Sequence, residues 1–171
     1  MIMPKIIFDA SALRGLADKL RRIADADIKS EAASWLETSG IEFLRVVEDE
    51  IIRRQVVDTR LLLKSFTKGD ENNVWKAADG GLTLEIGTHV EYAVYVNNGH
   101  WANPSGVASR FVPGVWNGDK FQYMPGAKTG MVLRQQWIDA QPYWDSAVRI
   151  FSKMFPELVG AKFRQWVKRY L

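Results

Sequence analysis

The chain has 171 residues, of which 47% are hydrophobic, 25% charged and 12% aromatic, with a formal net charge of +3 and no cysteine. That balance is too apolar for a disordered chain and predicts one globular domain that buries about two thirds of its unfolded surface. The missing cysteines exclude disulfides, zinc–thiolate sites, iron–sulfur clusters and thiol nucleophiles, and His89 and His100 are too few imidazoles for a multi-histidine metal site. No apolar run approaches the roughly 20 residues of a membrane span. Met1 to Phe8 is apolar but interrupted by Pro4 and Lys5, so the expectation is a cytoplasmic product without an export signal. A pI near 9.2 is mildly basic. The clearest excess, Lys162, Arg164, Lys168 and Arg169, falls short of the dense patch of a strong nucleic-acid binder.

In chain order, Leu13, Leu16, Leu20 and Ile23 recur at helical spacing, which predicts a helix over about Ala10 to Ile23 with Asp9 as N-cap. A stronger stripe follows: Ile28, Ala32, Trp35, Leu36, Phe43, Leu44, Val47 and Ile51, ending near Arg54. Such a helix would be close to 40 Å long. It either crosses a sheet or offers surplus face to a neighbouring subunit. Val74 to Ala78 and Leu82 to Ile86 flank Asp79-Gly80-Gly81 and predict a hairpin, with Leu82, Leu84 and Ile86 alternating along the second strand. The alternation of Val90, Tyr92, Val94 and Val96 predicts a third strand.

Asn97 to Asp119 shows no period and is crowded with turn dipeptides, yet it holds Trp101, Phe111 and Trp116. Long loops are functional or disordered, and disordered ones are poor in aromatics, so this segment is expected to order against its own domain or a partner. Phe121 to Met124 and Met131 to Ile138 are candidate short strands. Pro142 fits the first turn of a last helix bearing Trp144, Val148, Phe151 and Phe155, which Pro156 should break or kink. A final amphipathic segment carries Phe163, Trp166 and Val167. The order predicts an α+β fold: an antiparallel sheet of three to five strands packed against a long N-terminal-half helix and a C-terminal helix.

Catalytic patterns are scarce. His89-Val90-Glu91 matches the H-x-E of zinc deaminases, but the partner motif needs cysteine. No nucleophile elbow, Walker loop or dinucleotide fingerprint is present. Glu85 and Glu91 form one of many possible carboxylate pairs, with no specificity in their spacing. Trp35, Trp137, Trp144 and Trp166 lie in periodic segments and suit a core or a subunit contact. Trp101 and Trp116 suit protein contact, internal packing, or stacking on sugars or bases.

Three blocks carry a resemblance. Val57-Asp58-Thr59-Arg60-Leu61-Leu62-Leu63-Lys64-Ser65-Phe66 is similar to the V-D-T-G-x-L-x-x-S signature of phage head–tail joining proteins, the neck or tail-completion proteins of tailed bacteriophages and prophages. Ile86-Gly87-Thr88 with Tyr92-Ala93-Val94-Tyr95-Val96-Asn97-Asn98-Gly99-His100 resembles that family's v-G-t-x-v-x-Y-A-x-y-v-E-x-G block. Gln141-Pro142-Tyr143-Trp144-Asp145-Ser146-Ala147 resembles its entry into the last helix. Arg60 stands where the family carries glycine, and Asn97-Asn98 replaces its acidic residue. Asp58, Thr59, Ser65, Gly87, Tyr92, Gly99 and Pro142 would be scaffold residues: Asp58 and Thr59 as turn caps, Gly87 and Gly99 at reversals bracketing the third strand.

The resemblance implies a single neck or tail-completion domain over residues 1–171, with a long interaction loop at about 97–130 and a C-terminal helical extension at about 142–171. It implies a non-enzymatic virion protein without cofactor, forming a homo-oligomeric ring in the neck, assembled in the host cytoplasm. Implied partners are further copies of itself, neighbouring neck or adaptor proteins, and tail terminator or tail tube proteins. The genome would pass through the lumen, and no membrane is involved. Candidate interface residues are Trp101, Phe111, Trp116, Phe121, Tyr123 and Trp166. A cell-wall polymer hydrolase and a DNA-binding module are the competing readings.

Overall fold

A computed structural model describes residues 6–9, 27–56 and 60–170. The described chain separates into two compact units, one holding the residues up to Asn97 together with those from Gln141 onward, the other Asn98–Ala140. The helix expected over Ala10 to Ile23 lies outside the described residues.

The first unit is built on a three-stranded antiparallel sheet in the order β1-β3-β2, where β1 is Ile6–Asp9, β2 is Asn73–Ala78 and β3 is Thr83–Thr88. The expected hairpin is present, and Asp79–Gly81 closes it as a short 3-10 turn. Leu84 and Ile86 alternate along β3 and are 2% and 0% exposed. β1 has four residues, too few for a period-two pattern to announce it.

Helix α1, Asp27–Arg53, is the long helix of the sequence reading. It crosses the sheet at Gly40, where an added Cβ would lie within 3.0 Å of Leu84, Trp75 and Ile86 side-chain atoms. A glycine in mid-helix costs about 1 kcal/mol against alanine. Here it lets the helix backbone come down onto the strands. Phe43, Val47 and Ile51, all 0% exposed, continue the apolar stripe into the main core.

The one-turn helix α2, Leu61–Lys64, adds Leu62 to that core, with Phe66 just beyond it. Helix α4, Tyr143–Tyr170, adds Tyr143, Trp144, Ala147 and Phe151. Phe43 meets the Trp144 ring edge-on at 5.4 Å and the Phe151 ring at 5.3 Å, while Phe66 lies 5.7 Å from Trp144. A second cluster joins Ile28 and Trp35 of α1 to Trp166 near the end of α4.

One expectation for this unit is corrected and another narrowed. The segment expected as a third strand forms helix α3, Ala93–Asn98. Ala93, Val94 and Asn97 are its buried residues, and with buried Val90 just ahead of the helix they fall at spacings of three, four and seven, which are helical. The alternation of Val90, Tyr92, Val94 and Val96 runs through the same segment, but Tyr92 is exposed, and burial selects the helical reading. Of the break or kink expected at Pro156, the break does not occur: helix α4 continues through it. Proline removes one backbone donor, but α4 is anchored on both sides of it, by Trp144 and Phe151 before and Trp166 after.

The second unit is all strand and turn. β4, His100–Trp101, pairs with β8, Trp137–Ile138. β5, Ser109–Asn117, lies between β6, Lys120–Tyr123, and β7, Gly130–Arg134. Much of the stretch read as an aperiodic loop is therefore sheet. The reason is in the pairing: Ser109–Pro113 pairs with β7 and Gly114–Asn117 with β6. Pro113-Gly114 marks the change of partner, where a missing N–H is tolerated as it is on an edge strand. Asn103, 2% exposed, clasps the far end: its side-chain amide donates to the Leu133 carbonyl at 2.9 Å, and its backbone N–H donates to Gln135 Oε1 at 2.8 Å.

Candidate functional site

The motif residues of the first unit converge on one hydrogen-bonded junction. The Thr88 hydroxyl donates to Ser65 Oγ at 2.8 Å, and Ser65 Oγ donates to the Leu62 carbonyl at 2.8 Å. Thr88 Oγ1 accepts from the Val90 N–H at 3.0 Å, and the Ser65 carbonyl accepts from Asn73 Nδ2 at 2.8 Å. The start of α2 is held by the Tyr92 hydroxyl, which accepts the Leu62 N–H at 3.1 Å. Two short helices and two strands are thus tied together by Ser65, Thr88 and Tyr92.

Asn97 ties in α4. Its Oδ1 accepts the Trp144 N–H at 3.0 Å, and its Nδ2 donates to Asp145 Oδ2 at 3.0 Å. That satisfies an orphan amide in the first turn of α4, immediately after Pro142. The sequence marked Asn97 only as a departure from the family pattern. Its role as a distant cap depends on a partner 47 residues away, which no local signal reveals. Burial pushes the Tyr143 phenol above its ordinary range, and its hydroxyl donates to the Ala93 carbonyl at 3.3 Å.

Asp58 and Thr59 lie outside the described residues. Arg60 has φ +63°, the left-handed region, which explains why glycine suits this position. Gly99 has φ +74°, and a Cβ there would press on the Ile138 carbonyl and the Trp137 ring. Gly87 is not at a reversal: it lies inside β3, opposite Val74.

Glu50 connects α1 to its own last turn and to α4. Arg53 donates to both carboxylate oxygens, at 2.8 and 2.6 Å, and Arg54 lies 3.4 Å away. The Arg53 hydrogen bonds, against the opposing effect of burial and with help from Ser146, hold the Glu50 carboxyl down at about 2. Glu85 faces Lys76 across the β2–β3 ladder, and Glu91 is exposed ahead of α3. Among the described residues no three His, Asp or Glu side chains converge on a metal-sized site. No helix among them is long and apolar enough to cross a membrane.

Most of the candidate interface residues fall in the second unit. Trp101, Phe111, Trp116 and Tyr123 are 57%, 55%, 56% and 62% exposed. Phe121 is half-buried, edge-on to Trp116 at 5.3 Å. Trp101 meets Trp137 edge-on at 5.4 Å. Cross-strand partners share a face, so Trp116, Phe121 and Tyr123 stand on one side of the sheet, and Phe111, opposite Val132, on the other. Trp166 stands apart from this group: it is buried against Ile28 and Trp35 of its own chain. Val132 is exposed although it is not among the candidates, and Trp137, expected in the core or at a subunit contact, is half-exposed. The alternation of half-buried Met131 and Leu133 with exposed Val132 and Arg134 is the sequence signal for the first.

The family model described as "Bacteriophage HK97-gp10, putative tail-component" matches residues 14–99. The chain belongs to this HK97-gp10-like family. The match takes in α1 through β3 and all of α3, so it covers the Ser65–Thr88–Tyr92 junction. The chain is 41% identical over 159 residues to the phage-like element PBSX protein XkdI of Bacillus subtilis, covering 93% of this chain and 98% of that protein. It is 44% identical over 161 residues to the uncharacterized protein YqbI of the same organism, covering 91% and 96%. Both relatives therefore extend over the second unit and α4 as well. No solved structure matches.

Proposed function

We propose that this HK97-gp10-like chain is a non-enzymatic structural subunit of a phage, prophage or phage-tail-like particle. In this reading it forms a homo-oligomeric ring in the neck, joins tail to head, and lets DNA pass through the lumen without sequence-specific binding. Its neighbours are neck or adaptor proteins on one side and tail terminator or tail tube proteins on the other. It is assembled in the host cytoplasm and ends in the virion.

Family membership supports the structural role, as does a relative named for a phage-like element. The observation that carries the assembly reading is the second unit, a small sheet with aromatic side chains exposed on both faces. Clustered exposed aromatics mark contact surfaces. Ser65, Thr88, Tyr92 and Asn97, by contrast, are occupied by bonds within the fold, which is the work of a scaffold.

The test is the solution mass of the purified chain by light scattering, alone and after mixing with a tail or neck extract. A ring formed alone, or a monomer that joins a ring-sized particle, is the expected result. A chain that stays monomeric with every virion component overturns the reading. Polymer hydrolysis by the isolated chain, or tight and steeply salt-dependent DNA binding, would replace it.

A further inference from the structure

We infer that Asn117 is a site of spontaneous covalent modification, selected by the fold over the second Asn-Gly pair of the chain. The reaction is attack of a backbone amide on the preceding asparagine side chain, followed by hydrolysis with water.

The sequence holds two Asn-Gly pairs, Asn98-Gly99 and Asn117-Gly118. In such a pair the glycine nitrogen, unshielded by a Cβ, loses its proton and bonds to the asparagine Cγ. The Cγ–Nδ2 bond breaks, and the side-chain amide departs with that proton as ammonia. The five-membered imide then takes up one water and opens at either carbonyl. One opening leaves aspartate. The other leaves isoaspartate, in which the main chain runs through the side-chain carbons. Closing the ring needs an asparagine ψ that neither helix nor strand supplies, so the backbone has to open locally first.

Asn117 ends β5, and Gly118-Asp119 is the two-residue turn into β6. Gly118 has φ +61°, with nothing within 4 Å of the place a Cβ would take. Asn117, Gly118 and Asp119 are exposed, and β6 is an edge strand. Opening the tip breaks the Asn117–Lys120 pair and the exposed bond that Asn117 Nδ2 donates to Gln122 Oε1 at 3.0 Å.

Asn98 stands in the opposite situation. It is the last residue of α3. A Cβ at Gly99 would lie 2.7 Å from both the Ile138 carbonyl oxygen and the Trp137 ring, and 2.9 Å from the Ala140 nitrogen. Asn97, just before it, is 3% exposed and bonded to the Trp144 N–H and Asp145. Opening at Asn98 therefore disturbs packed backbone and the cap of α4, whereas opening at Asn117 disturbs only a solvated tip.

The modification has a structural consequence. Isoaspartate at position 117 lengthens the main chain beside the Trp116–Phe121 pair, which shifts the register of the hairpin. Either product also takes one unit from the formal net charge of +3.

The experiment holds the full folded chain at mildly alkaline pH, samples it over days and digests each sample with trypsin. Cleavage after Arg110 and Lys120 isolates Phe111–Lys120 with Asn117, and cleavage after Lys76 and Arg110 isolates Ala77–Arg110 with Asn98. Mass spectrometry follows the loss of ammonia and gain of water, and electron-transfer fragmentation separates isoaspartate from aspartate. Asn117 is expected to convert at least about tenfold faster than Asn98, the ratio that ~1.4 kcal/mol of extra opening free energy produces. In urea, where both pairs are unfolded, the two rates should converge. Gly118→Asp places a Cβ on the attacking residue while keeping one that adopts positive φ, and should abolish conversion at Asn117.

Equal rates in the folded chain, faster conversion at Asn98, or no conversion at Asn117 overturns the inference. So does a gap that persists in urea, which would make the neighbouring sequence, and not the fold, the selector.

Discussion

Arg60 occupies a backbone conformation that glycine adopts freely and other L-residues adopt at a cost of about 1–2 kcal/mol. Glycine also raises the entropy of the unfolded chain, which offsets part of that gain. Arg60→Gly is therefore expected to stabilise the fold by about 0.5–1 kcal/mol, read as a higher urea midpoint at an unchanged slope; a lower midpoint would show that the arginine side chain holds α2 in some other way. Glu50 sets a pH limit of a different kind. Its folded carboxyl is lowered from 4.5 to about 2, first by the Arg53 hydrogen bonds. The unfolded carboxylate thus takes up a proton before the folded one does. The stability this group supplies is complete above about pH 4.5 and disappears as pH falls from there through about 2. Thermal melts across that range should show an acid limb, and Glu50→Gln should flatten it while lowering the melting point at neutral pH.

At the scale of elements, α1 and α4 are joined by two separate apolar contacts, the main core around Phe43 and Trp144 and the smaller cluster of Ile28, Trp35 and Trp166. Trp35→Ala removes most of the smaller cluster and is expected to cost roughly 3–5 kcal/mol by cavity formation. Equilibrium urea unfolding measures it, and a loss below about 1 kcal/mol would mean that this end of α4 closes over the gap. These two helices were legible because a period sustained over 27 or 28 residues has one structural solution. The short elements were not. α3 has six residues and β4 two, and over such lengths helical and strand periods coincide on the same side chains.

The whole molecule divides its work between two units that respond differently to substitution. The first buries Trp35, Trp144 and Trp166. Trp101 and Trp116 of the second are more than half exposed. Replacing both with alanine should leave the chain folded, with circular dichroism and melting point near the wild type, while lowering the yield of assembled particles in reconstitution with a tail extract. Variants that unfold would instead place those rings in the core. The family match over residues 14–99 and the relatives' coverage of nearly the whole chain indicate where the common scaffold ends and what accompanies it. The family match runs from residue 14 to just past the end of α3.

The sequence by itself determined the α+β class, the long helix, the hairpin, the last helix and the family, because each depends on an extended period or a local motif. It also placed most of the exposed aromatics in the right segment. Only the tertiary structure decided that Ala93 to Asn98 turns as a helix, that α4 runs past Pro156, and that Pro113 sits within a strand. In each case the deciding energy comes from residues distant in the chain: the amide of Trp144 on Asn97, the anchoring of α4 on both sides of its proline, and a change of strand partner at Pro113-Gly114. Local propensity is worth a few tenths of a kcal/mol per residue, and burial of one aromatic side chain outweighs it.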